Sequence, residues 1–396
     1  PRLEAAASET LGMEVSFGGR LGIGFFPGLR LTLEDVHIRN RGTELASAKQ
    51  ARLGIDLLPL LQKKVRIGSI ALKHPRISIE RGLDGRFNVE KPGAAGGMLP
   101  AVNWANLTLL DGMLLYTDKQ SGGGFEAVNC TLNARRLRLT QAKSQDILKH
   151  LSFTAQLACG EIRTKDFTLS GLQLSATGKN GVFDLKPVLM RVFGAQGSGD
   201  IQADFTGAVP HYRVRYILAQ FPVEEFFKIL SPQKVAEGSM DFSVNLAMQG
   251  KSLDEMKQTM AGQISLRGEN LTLTGIDLDG QFSRYASSQN FNLVDVGAFF
   301  FAGPVGLVVT KGYNFASIFQ GSGGRSEIHT LVSDWKVERG MAQAQDVAMA
   351  TQQHRIALQG GLDFVNAQFH DVTMALIDAQ GCATVRQKIR GTFQKP

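Results

Sequence analysis

Side chains able to do chemistry are few and scattered in this chain. Its seven histidines are His37, His74, His150, His211, His329, His354 and His370. His370-Asp371 is the one suggestive neighbour pair: a histidine beside a carboxylate can act as a general base, though a solvated strand end is the plainer reading. Asp277-Leu-Asp279-Gly280 has part of a calcium loop, but Gly275 and Ala286 stand where the first and twelfth ligand positions would be. Gly22-Ile-Gly24-Phe-Phe-Pro27 starts like a dinucleotide fingerprint, yet its third glycine is missing and no βαβ unit surrounds it. No nucleophile elbow, Cys-x-x-Cys, His-x-x-x-His or His-Glu-x-x-His occurs. Cys130, Cys159 and Cys382 form no framework; the expectation is half-buried thiols, with Cys130 and Cys159 able to pair in an oxidising compartment. These residues lead us to expect no enzyme, no metal and no cofactor.

The elements that would position any site are mostly strands. The 396 residues allow two or three domains, or one long repetitive one. A hydrophobic content of 43% excludes wholesale disorder, while 44 glycines and only 20% charged residues fit many tight turns. Apolar residues alternate with polar ones in short runs: Leu53-Ile55-Leu57, Val65-Ile67, Ile77-Ile79, Phe153-Ala155-Leu157 and Phe167-Leu169. The pattern continues in Leu172-Leu174, Ile201-Ala203-Phe205, Tyr212-Val214-Tyr216, Phe242-Val244-Leu246-Met248 and Ile264-Leu266. Asp84-Gly85, Asp111-Gly112, Asn180-Gly181 and Asp279-Gly280 supply turn residues between runs. The expected fold is therefore mainly β: a long, curled antiparallel sheet, one face apolar and one wet. Short helices are expected over 2–11, 222–230, 252–261 and within 292–319. Expected regions are 1–95, a middle groove over 96–230, and 231–396 with helical insertions.

The formal charge is +7, with basic clusters Lys63-Lys64-Arg66, Arg135-Arg136-Arg138 and Arg213-Arg215. Alternation sets Arg213 and Arg215 on the face opposite Tyr212, Val214 and Tyr216, whereas a nucleic-acid surface needs aromatics among its charges. No nucleic-acid partner is expected; an acidic membrane surface suits the modest positive excess better. The longest apolar run, 296–309, is broken by Gly303-Pro304 and falls short of the ~20 residues of a membrane-spanning helix.

About twenty strands at ~4.8 Å spacing would make a sheet roughly 95 Å long. A few short helices cannot cover its apolar face, which must either meet itself or hold something else. We expect it to line a groove for lipid, with Leu53, Ile55, Leu57, Phe153, Leu157, Phe167, Leu169, Phe205, Val214, Phe242, Val244 and Leu246 as lining candidates. An ordinary dry core is the alternative. Phe226, Phe227, Ile229 and Leu230 form an apolar helical patch that would gate or plug the groove, or simply pack. Phe299, Phe300 and Phe301 would make an end cap, a membrane-touching tip or core.

Several motifs resemble the AsmA-like family. They are Leu11-Gly-x-x-Val15, Phe26-Pro27-Gly28-Leu-x-Leu-x-Leu33-x-x-Val36, Asp56-Leu-Leu-Pro59-Leu-Leu61, Ile67-x-x-Ile70-x-Leu72-x-x-Pro75 and Asp84-Gly-x-Phe87-Asn88. Downstream, Glu338-Arg-Gly340, Asp346, Thr351, Arg355-Ile-x-Leu-x-Gly360-x-x-Asp363 and the ending from Gly381-Cys382 to Gly391-Thr392 are similar too. The resemblance implies a bacterial envelope protein in the periplasm. In the family a single inner-membrane helix precedes this stretch, which fits a chain opening on Pro1 as a processed or truncated product. It also implies lipid transfer toward the outer membrane along a curled groove, with an outer-membrane partner possible. The cargo would be a phospholipid, or a sterol or hopanoid. Two alternatives remain: a scaffold for outer-membrane proteins, and an envelope hydrolase using dispersed residues such as His370 and Asp371.

Overall fold

The alternating runs fold as strands. A computed structural model describes residues 4–5, 7–8, 13–25, 28–40, 42–61, 66–89, 98–99, 102–120, 122–140, 142–143, 147–165, 167–230, 236–275, 277–280, 282–283, 300, 323–393 and 395. Twenty-one strands join one mixed sheet, and the chain divides into two compact units, residues 1–190 with 204–206, and 191–203 with 207–396. The divisions expected near 95 and 231 fall on residues outside those described.

The N-terminal unit begins with β1 (Glu14–Phe17), β2 (Leu21–Gly24), β3 (Leu29–Asn40) and β4 (Thr43–Ile55). A short helix, α1 (Leu57–Leu61), leads to β5 (Ile67–Lys73) and β6 (Arg76–Arg81). The two-residue β7 (Met98–Leu99) and β10 (Ala142–Lys143) pair apart from the main sheet. Between them run β8 (Val102–Asp118) and β9 (Gly123–Leu139). The four-residue helix α2 (Ile147–His150) precedes β11 (Leu151–Thr164), β12 (Thr168–Lys179) and β13 (Val182–Val192). Asn180 and Gly181, both at positive φ (51° and 83°), turn β12 into β13 as a two-residue hairpin loop requires.

Two findings correct the sequence reading. The sheet is not wholly antiparallel, because β8 runs parallel to both β5 and β6. The long connection from β6 to β8 makes that possible, since parallel neighbours need a crossover rather than a hairpin. The alternating run also stops at Ile55. Leu57 starts α1 and is 55% exposed, so it lies outside the strand face.

A second feature crosses this unit. The ladders skip one position between β3 and β4 at Asp35 and Lys49, between β9 and β11 at Asn129 and Gly160, and between β11 and β12 at Gly160 and Gly171. Asp35, His74, Asp111, Asn129 and Gly171 all have positive φ, near 50–60°. These breaks line up across neighbouring strands as a crease. At each, apolar positions step by three instead of two, as in Leu33-x-x-Val36 and Ala48-x-x-Ala51. One face stays apolar across the break: Leu33, Val36 and Ala51 share a cluster with Phe17, Leu31, Leu53 and Leu72. Irregularities of this kind bend a strand and increase its twist.

The C-terminal unit contains β14 (Ala195–Asp204), β15 (His211–Pro222), α3 (Val223–Leu230), β16 (Ala236–Glu237) and β17 (Ser239–Gln249). Then follow α4 (Leu253–Thr259), β18 (Ala261–Thr274), β19 (Arg325–Glu338), β20 (Met341–Ala350), β21 (Arg355–Asp363), β22 (Gln368–Ile377) and β23 (Ala383–Ile389). Ser252 caps α4, its hydroxyl accepting the Glu255 amide at 3.2 Å. Glu255 returns to the amide of Lys251 rather than of Ser252, and Leu253 is exposed rather than on a packed face.

Asp363 ends β21 in a tight acceptor site. Burial pushes its carboxyl up, but bonds from the Asn366 side chain, the Asn366 and Val365 amides and Gln368 outweigh that and hold it below the usual range. A pKa lowered on folding adds stability that is full above the unfolded value of about 3.9 and is lost as pH falls through the folded value. Asp363→Asn should therefore flatten the acid limb of the thermal-stability profile and cost about 1–2 kcal/mol at neutral pH. Melts from pH 7 downward read this; an unchanged acid limb would sink the assignment.

Candidate functional site

In a sheet, residues directly opposite on adjacent strands share a face. Following the register across the N-terminal unit gives continuous apolar stripes running perpendicular to the strands. One runs Ile23–Leu31–Leu53–Ile70–Leu107–Ala134–Ala155–Ala176. The next runs Leu21–Leu33–Ala51–Leu72–Leu109–Leu132–Leu157–Leu174. Beyond the crease a third runs Val15–Ile38–Ala46–Ile77–Leu114–Ala127–Ile162–Leu169. Each crosses eight strands, about 34 Å at ~4.8 Å per step.

The stripes are incompletely covered. Their small members, Ala134, Ala155 and Ala176, are buried, but Leu31, Leu53, Ile70, Leu107, Leu109, Leu132, Leu157, Leu174, Ile162 and Leu169 are only half-buried. Among the described residues no helix seals this face. A cavity of about 560 Å³ lined by Glu34, Asp35, Lys49, Gln50, Lys73 and His74 belongs to the opposite, polar face. Glu34, Gln50 and Lys73 are register partners one residue out of phase with the leucines.

The same construction in the C-terminal unit gives a fully buried row. Leu218, Phe242, Leu266, Ser333 and Val347 lie opposite one another in succession, and all are buried, Phe242 to 3% exposure. Three segments cover this unit's apolar residues. Phe226 and Phe227 of α3 are buried, and Phe193 packs on both Phe221 and Phe226. Leu278 donates its amide to Ser326 Oγ at 2.7 Å, while Asp279 accepts from Thr351 Oγ1 and meets His354 Nδ1 at 2.9 Å. Ser333 Oγ donates to the Phe300 carbonyl at 2.6 Å and accepts from Trp335 Nε1 at 2.7 Å. Burial drives the Tyr216 hydroxyl up to about 12.

The lining candidates therefore divide. Leu53, Ile55, Leu157 and Leu169 lie on the half-covered N-terminal face, with Ile55 opposite Leu29 and Ile67. Phe153 packs beside Ala155 and Ala176, and Phe205 stacks edge-on against Phe183. Phe167 sits in the β11–β12 turn, where Thr164 binds its carbonyl. Val214, Val244 and Leu246 are half-buried on the C-terminal sheet, and Phe242 is in its core. Of the cap candidates, Phe226, Phe227 and Phe300 are buried. The side chains of Ile229 and Leu230, and Phe299 and Phe301 altogether, lie outside the described residues, as do the helices expected within 292–319 apart from Phe300.

The cysteines follow the alternative reading, not the expected one. Cys130 and Cys159 are directly opposite on β9 and β11 and form the disulfide open to them in an oxidising compartment, in place of the half-buried thiols expected. The bond staples the two strands beside the crease, at the row that Leu172 completes. Chemistry is sparse elsewhere. His370 and Asp371 are 3.8 Å apart and exposed, and the Thr351 hydroxyl meets Asp279 and the backbone of His354 while the His354 ring meets Asp279, so neither set has the order of a nucleophile–base relay. Among the described residues no group of three or more metal-ligating side chains occurs, and no helix is long and apolar enough to cross a membrane.

The sequence matches the model of the AsmA family over residues 1–97 and 132–300, about two thirds of its length. The chain belongs to the AsmA family. No curated protein and no solved structure matches it. The AsmA family is associated with the bacterial envelope and with assembly and lipid-transport-like roles there, and is generally non-enzymatic. The matched segments include β1 to β6 and β11, β12, whose residues make both ends of the stripes.

Proposed function

We propose that this AsmA-family protein carries lipid through the periplasm, with acyl chains lying along the stripes of the N-terminal unit. The observation that carries the reading is the contrast between the two units: most large aliphatic side chains of the rows stay only half-buried in one, and the row through Leu218, Phe242, Leu266 and Val347 is fully buried in the other. A stripe about 34 Å long exceeds the ~15 Å hydrocarbon depth of one leaflet, so it accommodates a whole acyl chain. Burial there is worth about 0.8 kcal/mol per CH₂, which makes holding lipid passive and leaves any directionality to a partner. Phospholipid is the default cargo, and a sterol or hopanoid would suit the same wall. The headgroup stays in water. The Cys130–Cys159 bond supports an oxidising compartment such as the periplasm, since structural disulfides persist there and are rare in the cytosol. Anchoring in the inner membrane and delivery to an outer-membrane partner belong to this proposal.

Native mass spectrometry of the purified chain, followed by organic extraction, tests it. Acyl lipid or a polycyclic lipid in near-stoichiometric amount is the expected result. A lipid-free chain that also refuses added phospholipid would overturn it.

A further inference from the structure

The stripes have an uncovered end. β2 forms an edge beside β3, and Leu21 and Ile23 start two of the three apolar rows while standing exposed. β2 runs out at Gly24 opposite Arg30, β3 begins at Leu29 opposite Ile55, and β4 passes straight into α1. The Asp56 amide bonds to the Arg66 carbonyl at 2.9 Å, which holds the start of α1 beside the start of β5. Four large apolar side chains thus gather at one end of the unit: Ile23 at 60% exposure, Phe25 at 79%, Leu57 at 55% and Leu58 at 78%. Singly exposed hydrophobic residues need no explanation, but a contiguous group on consecutive elements does.

Arginines outnumber carboxylates around the group. Among the described residues of these strand ends and α1, the ionised side chains are Arg30, Arg52, Arg66 and Asp56. Asp56 is paired with Arg66 at 3.4 Å. Arg30 and Arg52 sit on the polar face, opposite Gly54 and Thr32, one and two steps in from the tip. Apolar side chains ringed by arginine are what an acidic bilayer surface favours. The rings and aliphatic groups enter the headgroup boundary while the guanidiniums meet phosphate, each worth about 1 kcal/mol near such a surface.

We infer that this end, built from Ile23, Phe25, Leu57 and Leu58 with Arg30 and Arg52 behind them, docks on an acidic phospholipid surface and is the mouth of the apolar stripes. The mouth role rests on the carrier reading; the docking does not. Vesicle binding by a chain that holds no lipid would keep the docking and remove the carrier.

Flotation with vesicles of phosphatidylglycerol and phosphatidylethanolamine tests it, with phosphatidylcholine vesicles as the uncharged comparison. The unaltered chain should partition onto the acidic vesicles and release as salt is raised. The double variant Phe25→Ser/Leu58→Ser should bind about tenfold more weakly, with an unchanged melt because both side chains are already in water. Arg30→Gln/Arg52→Gln should lose the preference for acidic vesicles. No binding by the unaltered chain, or equal binding by the serine variant, would overturn the inference. So would a concentration-dependent dimer that the serine variant dissolves without any vesicle binding, which would give the tip to a second copy of the chain.

Discussion

Leu157→Asp should empty the protein of lipid and leave it folded. Leu157 lies between Leu132 and Leu174 in the middle of a stripe and is only half-buried, so a carboxylate there reaches water when no lipid is present. The expected loss of stability is about 1–2 kcal/mol, the share of a leucine's burial it already had. An acyl chain laid over the same position would strip that water from an unpaired charge, at several kcal/mol. Bound lipid should therefore fall at least about a hundredfold while the melting temperature moves by a few degrees. Extraction of lipid from the purified variant, beside a circular dichroism melt, gives both numbers. Full lipid content in the folded variant would remove this row from the binding surface.

The second large effect lies in the other unit and has the opposite signature. Phe226 is fully buried, with Phe193 edge-on at 5.7 Å and Phe227 at 5.2 Å. Phe226→Ala should cost about 3–5 kcal/mol, the usual sum of lost transfer energy and residual cavity. That is a large part of a typical domain's 5–15 kcal/mol, so the C-terminal unit should melt or be cleaved first. Differential scanning calorimetry with limited proteolysis would separate packing from gating. A variant with an unchanged melt but faster lipid exchange would make α3 a gate.

Much of the fold was legible because period two is a local signal. The strands holding Leu53, Phe153, Leu157, Leu169 and Phe242 could be read one at a time. Three things could not. Alternation says which residues share a strand face, but not which strand lies next door. The eight-strand stripes therefore appeared only with register, and register also decided between thiols and a bond for Cys130 and Cys159, 29 residues apart. The crease was present as steps of three, in Leu33-x-x-Val36 and Leu169-x-x-Leu172, yet such a step looks like noise until a left-handed residue such as Asp35 is known to fill it. The difference between an open and a sealed face was hidden most deeply. It depends on whether α3, Leu278 and Phe300 fold back over a sheet from elsewhere in the chain, and equal runs of alternating leucines precede both outcomes. Leu57 failed for a simpler reason: Leu-Leu-Pro-Leu-Leu after Asp56 no longer alternates, and a helix takes it.

The crease has a consequence for how such a protein tolerates change in length. In a plain strand, inserting or deleting one residue turns every later side chain over, putting leucines in water and lysines on the apolar face. Where a left-handed residue already absorbs one position, as at Asp35 beside Lys49, a gain or loss there can be taken up locally and the rest of the strand keeps its facing. Relatives of this chain should therefore differ by single-residue gaps along that line across the sheet far more often than within the leucine rows on either side of it.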